Sequence, residues 1–223
     1  LKKRDFDAEK IVVLNEFDRS QNNAYHVLNE RVWETAFDSH PYKYATIGLK
    51  EDIETATIEK LRAFYNTYYW PNNAVLTVIG DLPNDILANI HRFFGTIAKS
   101  PNPIPKPNTR EPLQKKQKYI RVQKAGTKNI IKLAYKAVPA LHPDYAALTV
   151  LGAILTVGKS SRCYKQFVDT GLATHVTYSF HGHVDAGLFS IVTTICKPQT
   201  HEAIKEALLA VVQDIKQDGA SDD

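Results

Sequence analysis

Methionine is absent from this 223-residue chain, and cysteine occurs only twice. Without an initiator residue, the chain is expected to be a segment of a longer protein. Cys163 and Cys196 stand far apart and suit reduced thiols better than a disulfide framework, so they leave the compartment open. No apolar run approaches the roughly 20 residues that cross a bilayer, and the N-terminus lacks the apolar core of a secretory signal. The net charge of +4 is small and scattered, which argues against a nucleic-acid surface. Short basic runs at Lys2, Lys3 and Arg4 and at Lys115, Lys116 and Lys118 read as solvated faces. Gly-x-Ser-x-Gly, phosphate-loop, Rossmann and Cys-x-x-Cys patterns are all missing, which disfavours a serine hydrolase or a nucleotide enzyme. The 43% hydrophobic and 23% charged composition is ordinary for a globular protein with an adequate core.

What the chain does have is helix and strand in mixed order. Asp7 can cap a helix from Ala8, and a second helix is expected over Ala24 to Phe37. In "FYNTYYWPNNAVLTVIGDL" the aromatic residues recur at helical spacing with Leu61, and Thr57 can cap that helix over Ile58 to Tyr69. Pro71 stops it, Asn72 and Asn73 suit a turn, and Ala74 to Ile79 reads as a buried strand. A helix over Asn84 to Phe94 ends at Gly95. The stretch "TIAKSPNPIPKPNTREP" has the composition of an extended, semi-rigid linker. Beyond it, strands are expected at Lys118 to Gln123, Asn129 to Tyr135, Thr174 to His181 and Gly187 to Cys196. Helices are expected at Tyr145 to Leu155, Ser161 to Val168 and His201 to Gln217. The sum is an α+β chain of two related half-units, residues 1–98 and 118–223, joined by a Pro-rich linker at 99–117. Each half-unit should hold a mixed, mostly antiparallel sheet with helices packed on it.

Few residues could carry chemistry. Glu9 and Glu16 are two helical turns apart and share a face, as a metal site or an acid–base pair requires. A solvated acidic stripe has the same spacing. His181 and His183 alternate along an expected strand and could face a metal together. His40, before Pro41, reads as a loop hydrogen-bonder.

Together, "HPYKYATIG…FYNTYYWPNNAVLTVIGDL" and "DYAALTVLGAILTVGKSSRCYKQFVDTGLATHVT" resemble the pitrilysin-type (M16) zinc metallopeptidases. The resemblance covers nearly the whole chain. It implies a parent enzyme that hydrolyses peptides inside a chamber built by two halves, with Zn2+ as cofactor. In that family zinc is held by an upstream His-x-x-Glu-His helix and a glutamate further along, on a helix with two glutamates seven apart. "EKIVVLNE" is similar to that helix, so the resemblance makes Glu16 the metal ligand and Glu9 its acidic neighbour at the catalytic site. No His-x-x-Glu-His occurs here, so this segment alone is expected to be inactive, beginning after the zinc-binding helix. Phe167 and Thr174 stand where many members carry a substrate-gripping arginine and tyrosine. The implied partners are a peptide substrate and a second M16-like half, in the same chain or a separate subunit, with no nucleic acid and no membrane span. A periplasmic or other extracytoplasmic setting is one expectation. The rival readings are a non-catalytic M16-like partner subunit and a metal-binding module built on His181 and His183.

Overall fold

The computed structural model describes residues 2–220; Leu1 and residues 221–223 lie outside the described residues. Contacts divide the chain into two units, one of residues 1–18 and 46–110, the other of residues 19–45 and 111–223.

The first unit is helical. Helix α1 spans Lys3–Gln21, its last residues counting with the second unit. Asp7 does not cap it: the helix starts earlier, and Asp7 instead pairs with Lys3 one turn back at 3.0 Å. Then come α3 (Lys50–Thr55), α4 (Ile58–Tyr68) and α5 (Ile86–Phe94). Thr57 caps α4, its side chain accepting from the Lys60 amide. The aromatic residues of α4 meet one another at the expected spacing, with Phe64 and Tyr68 centroids 4.7 Å apart and Tyr65 and Tyr69 stacked at 4.8 Å. Pro71 opens a 3-10 turn, Pro71–Asn73.

The buried strand expected at 74–79 does not form. Val75 is 94% and Ile79 90% exposed, and the segment has no strand partner among the described residues. A strand exists only through its ladder, and a run apolar on both faces needs cover on both. Ile58 is the one buried residue among the described residues of this unit.

The second unit holds the core. Strands β1 (Asn129–Ala137), β2 (Ala173–Ser179) and β3 (Gly187–Ile195) form an antiparallel sheet in the order β1-β3-β2. Helices α6 (Tyr145–Thr156) and α7 (His201–Asp218) supply Leu155, Ile204, Leu208, Val211 and Ile215 to a cluster with Phe167, Val176, Ile191 and Ile195. Each fully buried aliphatic or aromatic side chain there contributes about 1.5–3 kcal/mol. The opposite sheet face carries α2 (Ala24–Ala36), capped by Asn23. There the Tyr25 and Thr194 hydroxyls lie 2.6 Å apart, and Lys132 donates to Asn29 Oδ1 at 2.5 Å. Burial pushes the Lys132 amine down to about 8.

The segment expected as a strand over Lys118 to Gln123 has no strand partner among the described residues, for the same want of a ladder. No helix among the described residues is long and apolar enough to cross a membrane.

Candidate functional site

Helix α1 forms because its polar residues support one another and its chain direction is fixed by α3. Lys10 donates to the Glu54 and Ala56 carbonyls, and Lys50 pairs with Asp18 at 2.7 Å. None of these ties involves Glu9 or Glu16. Both carboxylates are exposed, and neither enters an ion pair among the described residues. Seven residues of helix rise about 10 Å, so the two stand at different heights on the helix and suit different roles. Among the described residues no group of three His, Cys, Asp or Glu is placed to hold a metal ion. A catalytic zinc takes three protein ligands. The residues present therefore do not make such a site, and Glu16 could supply one ligand to it.

The positions resembling the substrate-gripping pair have quite different surroundings. Phe167 lies in a π-helical turn, Tyr164–Val168, that directs its ring inward, where it is fully buried. It packs the core and reaches no solvent. Thr174 is exposed at an irregularity of β2, where Ala173 and His175 pair with consecutive residues Ile195 and Thr194. That bulge leaves Thr174 unpaired in the ladder and turns both Thr174 and His175 outward.

His181 and His183 do not share a strand face. β2 ends at Ser179, and both residues fall in the loop that leads to β3. His181 is exposed, whereas the His183 ring lies 5.2 Å from Trp33 and 5.0 Å from Tyr42. Burial first, and then the nearby His181, lower the His183 pKa from its ordinary value. The strand stops two residues before the first histidine, so alternation does not bring the two rings to one face.

The same loop reveals a cluster that spacing could not show. His40 is 9% exposed; its Nδ1 accepts the Tyr42 amide at 3.2 Å, capping the 3-10 turn Pro41–Lys43. That bond leaves the proton of the neutral ring on Nε2, which faces Asp185 Oδ2 at 3.3 Å. The Tyr42 hydroxyl in turn accepts from the Asp185 amide at 3.2 Å. Residues 40–42 and 183–185 are thus joined across a long stretch of chain. Only the His-Pro-Tyr order hinted at a structured turn.

Residues 55–223 match the family model described as the peptidase M16 inactive domain. The chain belongs to the M16 peptidase family. Zinc protease PqqE of Helicobacter pylori is 28% identical over 221 residues, 97% of this chain and 50% of that protein. An uncharacterized zinc protease of Bacillus subtilis, YmxG, is 22% identical over 213 residues, 95% of this chain and 51% of its own length. The crystal structure of a protease from Helicobacter pylori superposes with a TM-score of 0.92 at 28% identity, covering 100% of this chain and 55% of that one. A peptidase M16 inactive domain from Pseudomonas fluorescens shares the fold at a TM-score of 0.81 and 20% identity, over 99% of this chain and 53% of that one. The chain spans about half the length of the curated relatives it matches.

Proposed function

We propose that this chain is part of a zinc-dependent M16 metallopeptidase that hydrolyses peptides, contributing the Glu16 carboxylate to the metal site and Glu9 as its acidic neighbour. The observation that carries the reading is the match to relatives named zinc proteases across 97% and 95% of the chain, with α1 presenting both carboxylates in the open. Bound zinc would supply the Lewis acid and the activated water. The chain's own part is to hold one anionic oxygen ligand on a helix tied down through Lys10, with Glu9 helping to orient it.

A second reading, that this portion is a non-catalytic partner, draws on the inactive-domain match and on Phe167, whose buried ring offers no hydrogen bond to a substrate. On either reading, catalysis needs groups beyond those described here.

The test compares the longer protein carrying this chain with its Glu16→Gln variant, measuring bound zinc and peptide turnover. Gln keeps the shape and removes the charge, so zinc content and turnover are both expected to fall, turnover by orders of magnitude. Glu9→Gln should lose less, in the roughly 10–100-fold range of groups that orient a metal ligand. Unchanged zinc and turnover in Glu16→Gln would remove Glu16 from the site. The 223-residue chain alone is expected to bind no zinc tightly.

A further inference from the structure

Residues 38–40 point three consecutive backbone amides at a single carboxylate. Glu111 Oε1 accepts from the Asp38 amide and Oε2 from the Ser39 and His40 amides, each at 2.9 Å. Lys136 Nζ donates to Oε1 at 2.7 Å, reaching out from β1. The carboxylate side chain is 14% exposed and its lysine partner 24%, so solvent screens them little. Lys136 also stands 4.9 Å over the ring of Phe37, a core residue only 2% exposed. Burial opposes the charge on Glu111, but Lys136 and the three amides outweigh it and hold the carboxyl down at about 2.

The segment so gripped is the one whose other side meets the loop between β2 and β3. His40 Nε2 faces Asp185, the Tyr42 hydroxyl accepts the Asp185 amide, and the Tyr42 ring lies against His183. Residues 38–40 have no ladder of their own, so their amides depend on Glu111 for partners. Glu111 is also the first residue of the second unit after the chain leaves the first.

We propose that Glu111 is a positioning residue: its carboxylate fixes the backbone of residues 38–42, and through His40 and Tyr42 it orders the 180–186 loop. The coupling is one of order, and peptide hydrolysis plays no part in it. Loss of the carboxylate leaves three amides and an ammonium without their shared acceptor. Glutamine is no substitute, because its amide nitrogen would turn a donor toward donors.

Amide hydrogen exchange on the protein reads this directly, with variants Glu111→Gln and Lys118→Ala. Lys118 pairs with Asp38 in the same segment, but through exposed side chains. Glu111→Gln is expected to speed exchange about tenfold in peptides covering both 38–44 and 180–186, as the loss of a charge-assisted bond implies. Lys118→Ala should leave both unchanged. Faster exchange over 38–44 with none over 180–186, or no change in either, overturns the proposal. Should Glu111→Gln not fold, Tyr42→Phe decides: it removes the bond to the Asp185 amide and leaves Glu111 in place. Exchange should then rise over 180–186 while 38–40 stays protected, and an unaltered 180–186 loop would sink the relay.

Discussion

Thr193 places a hydroxyl in β3 on the same face as Ile191 and Ile195, fully buried, with no hydrogen-bond partner among the described residues. An orphaned hydroxyl in an apolar core opposes folding, and valine keeps nearly the same shape without it. Thr193→Val is expected to raise stability by about 1 kcal/mol; a urea midpoint that moves up at constant slope would show it, and one that moves down would mean the hydroxyl is bonded. Glu111 acts in the opposite sense. Its carboxyl titrates near 2 in the fold and near 4.5 when free, so ionised Glu111 favours the folded state. That contribution is complete above the ordinary carboxylate range and is lost as pH falls from about 4.5 through 2. The stability gap between the protein and Glu111→Gln should therefore close across this acid window, as followed by chemical denaturation at each pH.

At the scale of elements, α6 meets β2 through a missing side chain. A Cβ on Gly152 would fall 2.3 Å from Cδ2 of Tyr178, so the ring lies flat on the helix only because glycine is there. Gly152→Ala adds helix propensity yet must displace that ring, and overpacking of this kind costs about 1–3 kcal/mol. Thermal unfolding should show a net loss; a net gain would mean that Tyr178 moves freely. Helices of the second unit were legible because their apolar positions recur with the helical period, as in α7, whose Ile204, Leu208, Val211 and Ile215 are all buried. β3 was legible as a short apolar run. Segment 74–79 is a similar apolar run, and 118–123 has Tyr119, Ile120 and Val122, but composition cannot say whether a partner strand is present. The two glutamates were visible as a spacing, whereas Glu111 was not, because its partners are amides far away in the chain and amides have no sequence signature.

For the whole molecule, the two units differ in what holds them. The second has a continuous core, whereas the first leaves Phe64, Val75, Ile79, Leu87 and Phe93 all more than half exposed. Apolar surface of that extent on one unit calls for cover. On the proposed reading, in which two halves enclose the substrate, this has a functional counterpart, since Phe167 offers no donor and the short Thr174 hydroxyl is turned to the Thr194 carbonyl. Donors that stabilise a developing charge are worth about 10²–10³ in rate. On that reading, the half carrying Glu16 is expected to reach full peptidase activity only with a second M16-like half, fused or separate. Assays of the purified half alone and with that partner decide the matter: equal turnover without the partner would exclude the requirement.

The order of strands in the sheet also bears on how the chain is made. β3 lies between β1 and β2, yet it is the last of the three to be synthesised. During translation β1 therefore leaves the ribosome with neither edge occupied, and it stays so while the whole of α6 and β2 follow. At about 5–20 residues per second that interval lasts on the order of several seconds. An unpaired strand bearing Ile130, Ile131 and Leu133 invites pairing with another nascent chain. Lys132 and Lys136, charges within the strand itself, discourage that encounter until Gly187–Ile195 arrives to close the sheet.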